Sequence, residues 1–114
     1  MWVIDRSVLI IERKEAFLTW VRGLPDPDKV ITLEEINEFP GCYLLPPFEE
    51  DKEAFECIEE VCSDIFAEEM SAWHEDEKDW EEDRSFKNFK KWFHYKICAM
   101  PVDMVEGEIE KEDY

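Results

Sequence analysis

The middle of the chain reads KEAFECIEEVCSDIFAEEMSAW from residue 52 to residue 73. Its apolar residues recur at steps of three and four, the period of one helical face. They are Phe55, Ile58, Cys62, Ile65, Phe66, Met70 and Trp73. Acidic residues fill most of the positions between them. The pattern predicts one amphipathic helix, roughly 33 Å long at about 1.5 Å per residue, with an apolar side toward a core and an anionic side toward solvent.

The charge of this region dominates the whole chain. Residues 49–83 contain seventeen acidic and two basic side chains, a balance of −15 within a total of −18. Such a surface repels nucleic acid and anionic membranes and attracts basic proteins. We therefore expect a basic protein partner, and direct nucleic-acid binding and membrane association are disfavoured. The simpler alternative is that the carboxylates only keep the protein soluble and monomeric.

The size and composition indicate a single domain. The chain has 114 residues, of which 45% are hydrophobic and sixteen are aromatic, enough to fill one core. We expect a globular domain over residues 1–104 and a flexible acidic tail over residues 105–114. No secretory signal and no apolar run of about 20 residues is visible. The four cysteines form no CxxC pair, so we expect a cytoplasmic protein with reduced, mostly buried thiols.

Shorter patterns flank the long helix. The continuous apolar run Val8–Ile11 predicts a central strand covered on both faces. A helix is predicted over residues 14–22, and Thr32 to Glu35 form a capping box for a short helix. Residues 42–45 predict a brief strand, Ser85 can cap a last helix, and residues 95–104 predict a third strand. The expected fold is α/β, with α+β as the alternative: a small three-stranded sheet with helices packed on it, in the order β-α-α-β-α-α-β. Strand direction stays open.

Residues that carry chemistry are sparse. His94 and Cys98 lie four residues apart on one predicted strand, about 13 Å, which is too far for a direct hydrogen bond. The run His74-Glu75-Asp76 offers metal ligands, with Glu69 or Asp79 as further candidates, but it lacks the HExxH spacing, and a solvated acidic loop is the favoured interpretation. The three glycines form no phosphate-binding loop. We assign no catalytic, cofactor-binding or metal-binding residue.

The residues expected to bind a partner follow from the charge pattern. Trp80 lies in the predicted loop 74–84 among acidic residues, where it either packs back onto the core, the more common outcome, or is exposed as an anchor. The hypothesised partner-binding set is Glu56, Glu59, Glu60, Asp64, Glu68, Trp80, Glu81 and Glu82. One basic patch, Arg84, Lys87, Lys90 and Lys91, follows it. The patch pairs either with the acidic helix of the same molecule or with a second copy in a homodimer.

Several stretches resemble a set of short acidic bacterial cytosolic proteins that have no assigned function. They are DRSVLII (5–11), LPDPD (24–28) with ITLEEI (31–36), CYLLPPFEED (42–51) and FKNFKKWFHYKICAMPVDM (86–104). The resemblance implies a bacterial cytosolic setting and carries no site residues.

The leading hypothesis is therefore a non-enzymatic module that docks a basic protein, as inhibitors, antitoxins and nucleic-acid mimics do. The alternatives are a small enzyme or ligand binder with a carboxylate and His94 at the strand ends, or a homodimeric structural subunit.

Overall fold

The computed structural model describes residues 1–25 and 31–113. Its strands and helices, in chain order, are β1 (Trp2–Val3), β2 (Ser7–Arg13), α1 (Glu15–Arg22), α2 (Leu33–Ile36), β3 (Gly41–Leu45), α3 (Asp51–Ser71), α4 (Phe86–Trp92), β4 (Phe93–Cys98) and β5 (Val102–Asp103). One turn of 3₁₀ helix, Glu77–Asp79, interrupts the loop between α3 and α4.

Strand β2 forms the centre of a three-stranded sheet with the order β3-β2-β4. Leu9 lies opposite Tyr43 on β3 and opposite Ile97 on β4. The predicted architecture, helices packed on a small three-stranded sheet, is confirmed. Both neighbours of β2 run antiparallel to it, which settles the direction that the sequence left open.

The core lies on one face of this sheet. Ser7, Leu9 and Ile11 of β2 are buried, whereas Val8 and Ile10 on the other face are only half-buried. The expectation that both faces of β2 would be covered is therefore wrong. The reason is that α1, α3 and α4 bury their apolar sides in a single cluster together with Leu9 and Ile11.

Aromatic rings join α3 to the last helix and strand. The ring of Phe66 on α3 lies 5.0 Å from that of Trp92 and 5.2 Å from that of Phe93, between centroids. Phe17 of α1 contacts the same two rings at 6.0 and 5.4 Å. Each such pair adds about 0.5–1.5 kcal/mol beyond the burial of its area. These contacts fix the orientation of α3, and so decide which of its side chains face solvent.

The predicted third strand over residues 95–104 is divided in two. β4 ends at Cys98, and β5 forms a separate two-stranded antiparallel ribbon with β1, in which Trp2 lies opposite Asp103 and Val3 opposite Val102. Pro101 stands at the break, where it has no N–H to give to a ladder. Within residues 1–25 and 31–113, no helix has both the length and the apolar character needed to cross a bilayer.

Candidate interaction site

One side of α3 carries the acidic residues. Helix α3 is continuous from Asp51 to Ser71, so its register is kept over the full length. We call the solvent-facing carboxylates that follow its first residue, Asp51, the acidic face. They are Glu53, Glu56, Glu59, Glu60 and Asp64, and all five side chains belong to exposed residues. The sequence predicted this segregation correctly, because helical periodicity alone separates these positions from Ile58, Cys62 and Ile65.

The acidic face is largely free of counter-charges from the same molecule. Lys52 lies 3.9 Å from Glu56, and both side chains are exposed. An exposed pair of this kind contributes only about 0.3–0.5 kcal/mol. In the parts of the chain that the structure describes, no ion pair joins the acidic face to the basic patch. Glu68, a member of the predicted partner-binding set, is half-buried and stands at the margin of the acidic face.

Glu69 is the acidic residue of α3 that turns inward. Its carboxylate accepts from Arg13 Nε at 2.8 Å and lies 2.6 Å from Arg13 Nη2. The hydroxyl of Tyr43 donates to its other oxygen. Only 6% of Glu69 is exposed. The carboxylate therefore joins β2, β3 and α3 through two charge-assisted contacts, which are stronger than those between neutral groups.

Neighbouring groups complete this buried network. Arg13 Nη1 donates to the carbonyls of Ile36 and Phe39. The amide of Asn37 binds both the N–H and the carbonyl of Arg13. A Cβ at Gly41 would lie 2.9 Å from Glu69 Oε2, so only glycine lets β3 approach the carboxylate this closely. The sequence held one signal for this network, since Glu69 continues the apolar 3–4 spacing of Cys62 and Ile65.

The same network raises the pKa of the Tyr43 hydroxyl well above its ordinary value. Burial is the main cause, followed by the hydrogen bond to Glu69 and the repulsion from the charges of Glu69 and Glu68. Tyr43 is therefore held as a hydrogen-bond donor. The charged and hydrogen-bonding groups of Arg13, Tyr43 and Glu69 are paired with one another. We therefore assign the network a structural role.

The loop after α3 folds back onto the protein. Trp80 is half-buried and packs against the core, and its indole N–H donates to the carbonyl of His74 at 2.8 Å. The indole of Trp20 donates to the carbonyl of Asp79 at 2.9 Å. Trp80 thus adopts the packed alternative, although part of its ring stays accessible. Of its predicted companions, Glu81 is half-buried and Glu82 is exposed.

The exposed aromatic ring on α3 is Phe55. The sequence placed Phe55 on the apolar side, but 48% of it is exposed, and Trp73 at the end of the same stripe is 37% exposed. Phe55 lies near the first turn of α3, before the helix reaches the aromatic cluster around Phe66. Its exposed ring therefore lies next to Glu56 and one turn before Glu59.

Three ligating side chains gather in the loop. One ligand atom from each of His74, Asp76 and Asp79 lies within 4.8 Å of the others. His74 Nε2 is 2.8 Å from Asp79 Oδ2, and Lys78 Nζ is 3.1 Å from Asp76 Oδ2. Hydrogen bonds from Lys78 lower the pKa of Asp76. The loop already supplies its own cation, so a metal ion would have to displace the Lys78 ammonium, and we assign no metal site.

The basic patch is a surface feature of α4. Lys87, Lys90 and Lys91 are exposed, and the Lys90 ammonium lies 4.8 Å from the centre of the Phe86 ring. Arg84 is half-buried and donates to the carbonyl of Glu81 at 2.9 Å. Arg84 therefore stabilises the loop between α3 and α4, and the three lysines remain exposed to solvent.

His94 lies in an open depression rather than an enclosed pocket. The depression has a volume of about 530 Å³ and is also lined by Arg13, Lys14 and Lys91. Arg13 is committed to Glu69, and the Lys14 ammonium donates to the carbonyl of Lys90 at 2.7 Å. His94 and Cys98 occupy the same face of β4, as predicted, too far apart for direct proton transfer. Glu12 lies directly opposite His94 on β2, and Glu12 and Glu15 also line the depression. Within the described residues, however, no hydrogen bond or ion pair joins a carboxylate to His94.

The cysteine thiols are less buried than the sequence predicted. All four cysteines are free, and only Cys62 is buried; Cys57 and Cys98 are half-buried and Cys42 is exposed. The expectation of mostly buried thiols is therefore wrong. Cys42 faces outward because β3 is an edge strand and alternates its side chains between the two faces of the sheet.

Comparison of the chain with protein-family models, with curated proteins and with solved structures found no match.

Proposed function

We propose that this protein is a non-enzymatic interaction module whose acidic face docks a basic protein. The observation that supports this most directly is the set of five exposed carboxylates on one unbroken helix, with one exposed lysine as counter-ion. Such a field accelerates encounter with a positive surface and makes it sensitive to salt. Inhibitors, antitoxins and nucleic-acid mimics work in this way, and a cytoplasmic setting fits the four free thiols.

We further propose that Phe55 is the apolar anchor of this surface. The sequence suggested Trp80 for this role, but the Trp80 indole is bound to the His74 carbonyl and packs inward. Phe55 lies on α3 itself and exposes nearly half of its surface. Binding energy in interfaces concentrates in such buried aromatic contacts, whereas charges at the rim mainly set the rate of association.

The test is affinity capture with three forms of the immobilised protein. The first form is the wild type. The second, the face variant, carries Glu56→Gln, Glu59→Gln, Glu60→Gln and Asp64→Asn. The third, the tail variant, carries Glu106→Gln, Glu110→Gln, Glu112→Gln and Asp113→Asn. Each variant removes four negative charges, which takes the net charge from −18 to −14.

The proposal expects basic proteins that the wild type and the tail variant retain and the face variant loses. Retention should also decline between low salt and about 0.5 M salt, where charges on the surface are screened within a few ångströms. Equal capture by the face and tail variants would contradict a role for α3, because net charge alone would then explain binding. Capture that salt does not affect would contradict the electrostatic mechanism.

A further inference from the structure

Exposed apolar side chains concentrate at the end of the molecule formed by β1 and β5. In the described parts of the chain, twelve large apolar side chains are exposed, and nine of them belong to residues 1–3, to residue 44 and to residues 100–109. Single exposed apolar residues are ordinary, but a concentration of this kind marks an interaction surface. This end of the molecule shares no residue with the acidic face of α3.

A groove of about 510 Å³ opens within this surface. We call it the Trp2 groove, and its lining residues are Trp2, Ile4, Asp103, Gly107, Glu108 and Ile109. Trp2 and Asp103 are directly paired across the β1–β5 ribbon, so their side chains stand side by side on one face. Gly107 has φ of 106°, a conformation that other residues rarely adopt. This turn brings Glu108 and Ile109 back toward β1.

The charges of the groove select its occupant. Its two ionisable lining residues, Asp103 and Glu108, are both acidic. The Asp103 carboxylate is held in place because its Oδ1 accepts from the backbone N–H of Val105 at 2.8 Å. Residues 102–113 contain six acidic side chains and one basic side chain, Lys111, which lines a neighbouring depression together with Arg6. Trp2 is 51% exposed, and an indole face is the aromatic surface that cations prefer.

These features argue against three other occupants. A second copy of this chain would bring a net charge of −18 toward an acidic groove, so like charges oppose self-association there. An anionic membrane surface is repelled for the same reason. An apolar ligand without charge would form no ionic contact with the Asp103 and Glu108 carboxylates that line the groove.

We propose that the Trp2 groove binds a cationic, partly apolar segment of another protein. An arginine or lysine of that segment lies on the Trp2 indole between the carboxylates of Asp103 and Glu108. An apolar neighbour in the segment packs against Ile109. The groove is a second docking surface, and the inference does not depend on the function proposed for α3.

The test uses three synthetic peptides of equal length and measures binding by fluorescence anisotropy at about 0.15 M salt. The first peptide contains leucine and arginine, the second replaces leucine with serine, and the third replaces arginine with glutamate. We expect the full chain to bind the leucine–arginine peptide at least about tenfold more tightly than either control, because both the apolar and the cationic contacts are needed.

Two matched pairs of variants locate the site. Asp103→Asn with Glu108→Gln should weaken binding of the leucine–arginine peptide by about tenfold or more. Glu110→Gln with Glu112→Gln removes the same charge outside the groove and should change the affinity by less than about twofold. Likewise, Trp2→Ser with Ile109→Ser should abolish the preference for leucine, whereas Phe39→Ser, an exposed ring elsewhere, should not. The isosteric amide variants keep the test valid if the serine variant does not fold.

If the groove variant (Asp103→Asn with Glu108→Gln) and the control variant (Glu110→Gln with Glu112→Gln) weakened peptide binding equally, the inference would be overturned, because the general negative charge of residues 102–113 would then explain the binding. Equal binding of the serine–arginine peptide would overturn it as well. So would a dimer that forms without peptide and needs Trp2, or binding to anionic vesicles in place of the peptide. The face variant of α3 should bind the peptide as the wild type does, which separates this inference from the function proposed above.

Discussion

Tyr43 shows how one buried carboxylate reorganises its neighbours. The hydroxyl donates to Glu69, which is already bound to Arg13, so the phenol cannot ionise without placing two negative charges side by side. Burial, the hydrogen bond to Glu69 and this repulsion all raise the pKa of Tyr43. The folded state therefore keeps the Tyr43 proton at a pH where an unfolded chain has lost it.

This difference in pKa predicts that the wild type and Tyr43→Phe differ in their free energy of unfolding by an amount that depends on pH. An unfolded tyrosine loses its proton near pH 10, whereas the folded one does so higher, so the folded state holds more protons above about pH 10. The contribution of the hydroxyl to stability is fully present below that pH and declines as pH rises. Below pH 9 we expect Tyr43→Phe to cost about 1.5–3 kcal/mol, the range for hydrogen bonds to charged groups.

Above pH 10 the gap should shrink by up to about 1.4 kcal/mol per pH unit. Urea unfolding of both proteins at a series of pH values measures this difference in the free energy of unfolding. The two proteins share the lysines and the other tyrosines, so the titration of those groups contributes equally to both and drops out of the difference. A gap that stays constant to pH 11 would show that the Tyr43 hydroxyl is not held as a donor to Glu69.

Gly41 permits the close approach of β3 to Glu69. A Cβ at this position would stand 2.7 Å from Ile11 Cγ1 and 2.9 Å from Glu69 Oε2. We expect Gly41→Ala to destabilise the fold by about 1–3 kcal/mol, as overpacking in a well-packed core does. Gly23→Ala is the matched control, since its Cβ would meet only ordinary contacts at 3.5 Å or more.

Chemical unfolding of the two alanine variants distinguishes these expectations. Gly23→Ala should be neutral or slightly stabilising, because it restricts the unfolded chain at no cost in the folded one. Equal stability of the two variants would mean that β3 and α3 are not packed as closely as described.

At the scale of elements, the sequence correctly predicted the features that depend only on neighbouring residues, namely helical periodicity and helix caps. Periodicity predicted α3, which begins at Asp51 and ends at Ser71. The predicted caps are present, since Thr32 accepts from the N–H of Glu35 at 3.1 Å and Ser85 accepts from that of Asn88 at 3.3 Å. Each of these features depends on residues three or four positions apart.

Features that depend on distant residues were not predictable in this way. Arg13 and Glu69 are 56 positions apart, and nothing near either residue indicates the other. The β1–β5 ribbon has two residues per strand, too few to show an alternating pattern. The exposure of Phe55 depends on where the aromatic cluster ends along α3, which the helical period does not reveal.

The acidic face should reduce the stability of its own helix. Glu60 has Glu56 four residues before it and Asp64 four residues after it, and each like-charge pair costs about 0.2–0.5 kcal/mol. We therefore expect Glu60→Gln to stabilise the protein by about 0.4–1 kcal/mol at low salt. The gain should disappear near 1 M salt, where the screening length falls to about 3 Å.

Thermal unfolding of the wild type and Glu60→Gln at low and high salt measures this effect. Glu34→Gln on the short helix α2 is a control with the same change in charge. A gain that persists at high salt would point to a cause other than repulsion. Residues kept at a cost in stability are the ones expected to serve binding.

At the scale of the whole molecule, charge and apolar exposure are distributed separately. The acidic face covers one helix, the basic patch lies on α4, and most exposed apolar side chains lie at the β1–β5 end. The account therefore predicts two docking surfaces, one governed by the field of α3 and one by combined apolar and ionic contacts in the Trp2 groove.

The most direct test of the central claim is the rate of association with a basic protein captured by the wild type. Stopped-flow measurements over a series of salt concentrations would compare the wild type, the face variant and the tail variant. We expect the face variant to associate at least about tenfold more slowly at low salt and to show a shallower salt dependence, with the tail variant close to the wild type. Equal rates and equal salt slopes for the two variants would contradict docking through the acidic face of α3.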